Sequence, residues 1–276
     1  MHQSLFVYGG FRYFKLSLLL LIAAVVAYFW HEPVDGPNGG TWLGYTLGGL
    51  GAFLILLLMW FGMRKRSYKS SMGRVEGWLS AHVYLGLALI VISTLHAGFQ
   101  IGWNLHTLAY VLMLIVIASG IFGVYAYLRY PQLMTENRRG KTLDTIMAEM
   151  AELDRECRDA AAQLTDDISQ SVLNCCEKTR IGGSVMRQLS GKDNNCATQR
   201  ALDEVTRLSK SLPREQTDDG RRLLMLLGKK NELVQRARRD VQYKALLDIW
   251  LFFHVPLSFA LLAALSAHVV SIFFYW

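Results

Sequence analysis

The sequence predicts an all-α integral membrane protein: five transmembrane helices, with an α-helical insert between the fourth and the fifth. Three observations predict it. The residues are 52% hydrophobic and only 18% charged. The apolar ones gather in five runs, near 15–31, 43–63, 75–98, 107–130 and 249–276, each close to the ~20 residues that cross a hydrocarbon core. Positive charge falls in alternate gaps between those runs, as the positive-inside rule requires of a multi-pass chain.

The first run has no small-residue cleavage site behind it and is read as a retained helix. Arg12 and Lys15 stand at its start, while 32–42 after it has no Lys or Arg and carries Glu32 and Asp35. The second run leads to Arg64, Lys65, Arg66, Lys69 and Arg74, on the positive side again. The third opens into 98–107, which has no positive residue, and the fourth ends at Arg129 ahead of Arg138, Arg139 and Lys141. The formal charge of +7 therefore reports topology and not a nucleic-acid partner. The N-terminus is expected in the cytoplasm of a bacterium, with the chain in its inner membrane. The third and fifth helices then both run outward, and the C-terminus lies outside. Trp30, Trp42, Trp103, Tyr275 and Trp276 suit the outer interfacial belt.

The chain divides into membrane helices over 1–130, a cytoplasmic insert over 131–248 and the last membrane helix over 249–276. The insert holds all but eight of the 29 Lys and Arg, and all but Glu32, Asp35 and Glu76 of the 22 Asp and Glu. Pro131 is expected to end the fourth helix. Within 142–163, Leu143, Ile146, Met147, Met150 and Leu153 recur at helical spacing, and Asp166–Lys178 continues with Ile168, Val172 and Leu173. Gly182, Gly183 and Gly191 break the next stretch. A helix over about 197–211 stops before Pro213. Another begins near Gly220 and meets no breaker before the membrane, so it is expected to run on into the fifth apolar run. No dinucleotide fingerprint, P-loop or strand pattern appears in the insert, which reads as a helical hairpin or small bundle for packing or docking. Cys157, Cys175, Cys176 and Cys196 match no zinc or iron–sulfur spacing and are read as structural thiols of a reducing compartment.

Against this background, four histidines stand out. HVYLGLALIVISTLH begins at His82 and ends at His96; HVPLSFALLAALSAH begins at His254 and ends at His268. Fourteen residues advance a helix by about 21 Å and return the side chain to within about 40° of its starting azimuth. Each pair therefore shares one helix face. Because the two helices run parallel, His82 and His254 fall at one depth, towards the cytoplasm, and His96 and His268 at another, towards the outside. Two imidazoles facing each other in a dry bundle suit the two axial positions of haem b. Gly44, Gly48, Gly51, Gly86, Gly120 and Gly123 leave room between helices, although close helix packing explains them as well. A hydrogen-bonded structural histidine explains any one of the four alone. Metal or proton transport is the competing function, and zinc or iron transport favours carboxylates, which the spans lack; Glu76 and Asp248 sit only at their edges.

Two His-x13-His segments on parallel helices resemble the di-haem cytochrome b family. That family includes the cytochrome b of quinol–cytochrome c oxidoreductases, and ferric-reductase-like membrane domains are similar. The resemblance covers the second to fifth apolar runs and implies a four-helix di-haem core. Its two haem b groups would be held by His82 and His254 on the inner side and by His96 and His268 on the outer side. It further implies electron transfer across the membrane as a subunit of a redox complex, not as a stand-alone catalyst. The partners implied are membrane lipid, and a c-type cytochrome, a flavoprotein or iron–sulfur subunit, or a quinone. The long insert departs from the family pattern, and no quinone-site sequence is present. Arg74 is a candidate propionate contact of the inner haem; Lys244, Trp103, Asn104 and His106 are weaker ones. His31 and His106 read as interfacial residues, and His2 as part of the terminus. The rival function is a haem-based redox sensor that relays movement through the last helix.

Overall fold

The computed structural model describes residues 6–34, 36–66 and 74–274, with the side chains of 63–66 left aside. His2, Asp35, Lys69, Tyr275 and Trp276 lie outside the described residues. The described chain is all-helical and falls into two compact units. One comprises 1–123 and 251–276; the other is Val124–Trp250.

The apolar unit contains α1 (Tyr8–Trp30), α2 (Trp42–Arg66), α3 (Val75–His96), most of α4 (Leu105–Arg138) and the C-terminal part of α9 (Thr217–Phe274). Among the described residues, five helices are long and apolar enough to cross a membrane, consistent with a multi-pass membrane protein. Leu47, Leu54, Leu89, Ile92, Met113 and Leu261 form the interior of this unit. Leu19, Phe29, Phe53, Phe252 and Phe273 remain exposed, a placement that costs free energy in water and none in lipid. Helix α3 packs against α1 and α2. Ser80 and Gly77 are buried along it, and the missing side chain of Gly77 makes room for the Tyr8 ring, which a Cβ there would meet at 2.8 Å.

In the polar unit, α5 (Leu143–Ala161), α6 (Asp166–Lys178), the short α7 (Val185–Ser190), α8 (Ala197–Leu208) and the N-terminal part of α9 form a bundle. Its core is Ile146, Met150, Leu153, Cys157, Ile168, Val172, Val205, Leu223, Leu227 and Val234. The helical spacing of these residues puts them on single faces, and most charged residues between them stay outside, the buried Lys230 being the exception. Thr142 caps α5 by accepting the Thr145 N–H at 3.1 Å. Helix α6 has the bounds that its periodicity predicts.

Two expectations need correction. Helix α4 does not end at Pro131 but continues to Arg138. A proline removes one intrahelical hydrogen bond, and the turns beyond it are tied down from outside. The Arg138 guanidinium forks onto the buried Asp240 carboxylate at 2.6 and 2.7 Å, Asn137 Nδ2 donates to the Arg236 carbonyl at 2.7 Å, and Tyr130 stacks on Tyr243. Helix α9 starts at Thr217, not near Gly220, with Asp218 and Asp219 in its first turn, where the helix dipole favours acids. It then runs unbroken through Pro256.

All four cysteines are free thiols, and all but Cys176 are buried. Lys230, 2% exposed, lies among them. Its ammonium pairs with Asp154 and donates to the Cys175 carbonyl at 3.3 Å and to Cys175 Sγ at 3.2 Å. Burial opposes its charge, but the Asp154 carboxylate and Cys175 hold its pKa above the ordinary value. Burial pushes the Cys157 and Cys176 thiols up to about 12. The thiolate is the nucleophile, so at pH 8 only about one thiol in ten thousand is reactive at such a site. Iodoacetamide at pH 8 is expected to leave Cys157 and Cys176 unmodified in the folded protein and to label both after denaturation; stoichiometric labelling of the native form, read by peptide mass, would contradict this. A raised folded-state pKa also fixes the sign of the pH dependence. The stability these thiols contribute is complete below the unfolded thiol value of about 8.5 and declines as pH rises from there through about 12.

Candidate functional site

The four histidines singled out by their spacing meet in the apolar unit as two pairs. His82 lies within electrostatic reach of His254. The His96 and His268 ring centres are 6.3 Å apart, with the planes at 71°. Level pairing of this kind requires α3 and the last part of α9 to run parallel, as loop charge implies.

Each level is built by local structure that fixes a ring. At the His82 level, the ring packs 5.1 Å from Phe61, and its Nδ1 is buried without a hydrogen-bond partner among the described residues. Opposite, His254 Nδ1 lies 2.7 Å from Ser119 Oγ. The Ser119 hydroxyl directs its hydrogen to the Val116 carbonyl at 2.8 Å, so Oγ accepts and Nδ1 of His254 donates. The Cε1 atom of that ring passes Gly120, where a Cβ would lie 3.5 Å away.

At the His96 level, α3 ends in a Schellman turn. Phe99 N–H reaches back to the Thr94 carbonyl at 3.4 Å and Gly98 N–H to that of Leu95 at 3.1 Å. Gly98 has φ of 57°, and a Cβ there would strike the Pro37 carbonyl, so only glycine fits this turn. His96 is thereby held as the last residue of α3. Its Nδ1 lies 2.7 Å from the Gly44 carbonyl, which can only accept, so the proton is on Nδ1 and the Nε2 lone pair is free to bind a metal. The ring lies flat against α2: a Cβ on Gly48 would come within 2.6 Å of Cε1 and 2.9 Å of Nδ1. Serine, carbonyl and glycine contacts thus give His96 and His254 the same tautomer.

His106, read from the sequence as interfacial, belongs to this level. Asn104 caps α4 by accepting the Thr107 N–H at 2.8 Å, which sets His106 in the first turn. One turn further on, Tyr110 donates to Thr94 Oγ1 at 2.9 Å, Thr94 itself donating to Ile90, and this pins α4 to α3. The His106 ring centre is 5.3 Å from that of His96 and 5.0 Å from that of His268. A signal for it was present: a turn of eight residues between two antiparallel helices brings position 106 back to the depth of position 96. His31 packs edge-on against Trp42 at 5.1 Å instead. Arg74 is exposed at the N-cap position of α3, about 12 Å along the axis from His82, and Trp103 is fully exposed. Lys244 belongs to the polar unit.

The donor sets are imidazoles at both levels, and imidazole is a ligand of haem iron and of borderline transition metals. A metal held at about 2 Å by one nitrogen of each of two opposed rings puts their centres roughly 6 Å apart, which is the His96–His268 spacing. The ring triangle also puts the centre of His106 about 4 Å from the midpoint of that pair, close enough to join a coordination sphere of about 2 Å radius. A macrocycle extends further than this in its own plane. The three rings at the His96 level are therefore grouped as ligands of a single ion would be, a small closure short of contact, and a macrocycle between His96 and His268 would need His106 to turn aside. No protein-family model, no curated protein and no solved structure matches the chain.

Proposed function

We propose that the protein is a membrane di-haem b-type cytochrome that carries electrons across a bacterial inner membrane. One haem b is held by His82 and His254 towards the cytoplasm and one by His96 and His268 towards the outside, with Arg74 a propionate contact of the first. The observation that carries the reading is the pair of Nδ1-anchored rings, His96 on the Gly44 carbonyl and His254 on Ser119. Each sits at a different level of an apolar bundle, with a second histidine at the same level. When bound, a bis-histidine haem supplies one-electron chemistry with both axial positions filled, which favours electron transfer over gas binding. The chain's part is to fix two tautomers, to exclude water with leucine and phenylalanine, and to space the levels by fourteen residues, about 21 Å. Donor and acceptor are partner proteins or a quinone at the two faces, and the helical bundle over 124–250 is a docking surface for one of them.

The test is a reduced-minus-oxidised spectrum of the purified full-length chain with pyridine haemochrome analysis. Two haem b per chain are expected; no b-type absorbance overturns the proposal. A haem-based sensor is the second reading, favoured by α9, a single helix of 58 residues that contributes to both units. Dithionite-driven reduction of an external acceptor across a sealed proteoliposome separates the two, since a sensor does not conduct.

A further inference from the structure

We propose that His96, His106 and His268 form a binding site for a single transition-metal ion of the zinc class in the chain that carries no haem at this level. The inference rests on the third histidine and not on the haem reading. One ligand nitrogen from each of the three residues lies within 4.8 Å of the others. Three nitrogens at about 2 Å from a common ion sit roughly 3–4 Å apart, so closing on an ion takes ring movements on the scale of a rotamer adjustment and no rearrangement of helices.

The three rings come from three separate elements: the last turn of α3, the first turn of α4 and the C-terminal part of α9. All three are half-buried. The Schellman turn and the Asn104 cap hold the first two positions from the backbone, and the Gly44 carbonyl already selects the metal-binding tautomer of His96. Anchoring the far nitrogen of a ligating histidine on a carbonyl is the usual support of a protein metal site. Three imidazoles with no carboxylate suit zinc, copper, nickel or ferrous iron and disfavour magnesium and calcium, which take oxygen ligands. Three protein ligands leave a fourth position for water or an incoming group, as in open zinc sites. A haem between His96 and His268 displaces His106, so ion and haem exclude one another here.

The experiment uses the full-length chain, produced in cells that cannot make haem, solubilised in detergent, stripped with chelator and titrated with Co2+. One equivalent is expected to bind with the strong visible bands of four-coordinate cobalt and to be displaced by Zn2+. His106→Ala is expected to weaken binding at least tenfold and to change the bands, whereas His31→Ala, which removes an imidazole packed on Trp42, leaves both unchanged. His106→Gln, with helix content and thermal unfolding followed in parallel, separates loss of a ligand from loss of fold. Absence of saturable binding, the weak spectrum of six-coordinate cobalt, or equal affinity in the wild type and both folded His106 variants overturns the site. Haem analysis of the same chain from haem-replete cells bears on the electron-transfer reading alone: missing haem there sinks that reading and leaves the cobalt result standing.

Discussion

If the proposed di-haem reading holds, a chain carrying His82→Ala together with His254→Ala is expected to bind one haem b and the wild type two. The same halving is expected for His96→Ala with His268→Ala. The four single variants sharpen this into a test of geometry. If the pairs are made by level, His82→Ala and His254→Ala leave the same surviving centre, and His96→Ala and His268→Ala leave the other. The two survivors differ in environment. The His254 ring hydrogen-bonds a serine hydroxyl and His96 a backbone carbonyl, and the His96–His268 level has a third imidazole, His106, beside it. Hydrogen bonding to the ligand and burial both tune the potential of a haem, so redox titration should sort the four variants into two classes with different midpoints. A pairing of His82 with His96, one helix against itself, predicts different classes, and finding them would overturn the parallel arrangement of α3 and α9.

The arrangement was legible because it rests on two regularities, the length of the apolar runs and the turn of the α-helix. Apolar runs must reach about 20 residues, and fourteen residues return a side chain to its own face. His82, His96, His254 and His268 could therefore be placed by depth and azimuth before any contact was known. The polar unit was legible for a related reason: Leu143, Ile146, Met150 and Leu153 mark one face of α5, and the bounds of α6 follow from the same pattern.

What the sequence left obscure depends on lateral neighbours. Pro131 reads as a stop because its local cost is visible, while the Arg138–Asp240 fork that carries α4 past it joins residues 102 positions apart. The anchors of His96 and His254 are hidden in the same way. One is a main-chain carbonyl, which has no sequence signature, and the other is a serine 135 positions away. His106 differs from these. It was placed by its loop and not by its depth, and the depth rule that paired the other four also reaches it.

Gly48→Ala is expected to lower affinity at the His96 level by about 10–100-fold, the effect of disturbing the support of a metal ligand, and to leave the His82 level unchanged. The added Cβ falls 2.6 Å from His96 Cε1 and 2.9 Å from Nδ1, distances no packed methyl tolerates. One of the two must move. Gly48 is fixed in α2, so the ring swings away and its 2.7 Å contact with the Gly44 carbonyl, one turn earlier on the same helix, is broken. Nδ1 then loses the acceptor that set its tautomer, and the ring leaves its place beside His268. The neighbouring Gly49 supplies the control, since a Cβ there meets nothing within 4 Å. Gly49→Ala should leave both levels intact and stabilise α2 by up to about 1 kcal/mol through helix propensity alone. The contrast removes general effects of glycine replacement on the helix, because the two positions share an element, a depth and a propensity gain and differ only in facing the ring. Haem content and midpoint potential of the two variants, or cobalt affinity in the haem-free chain, read the difference. Equal behaviour of Gly48→Ala and Gly49→Ala would mean that His96 is not held against α2 by the Gly44 carbonyl.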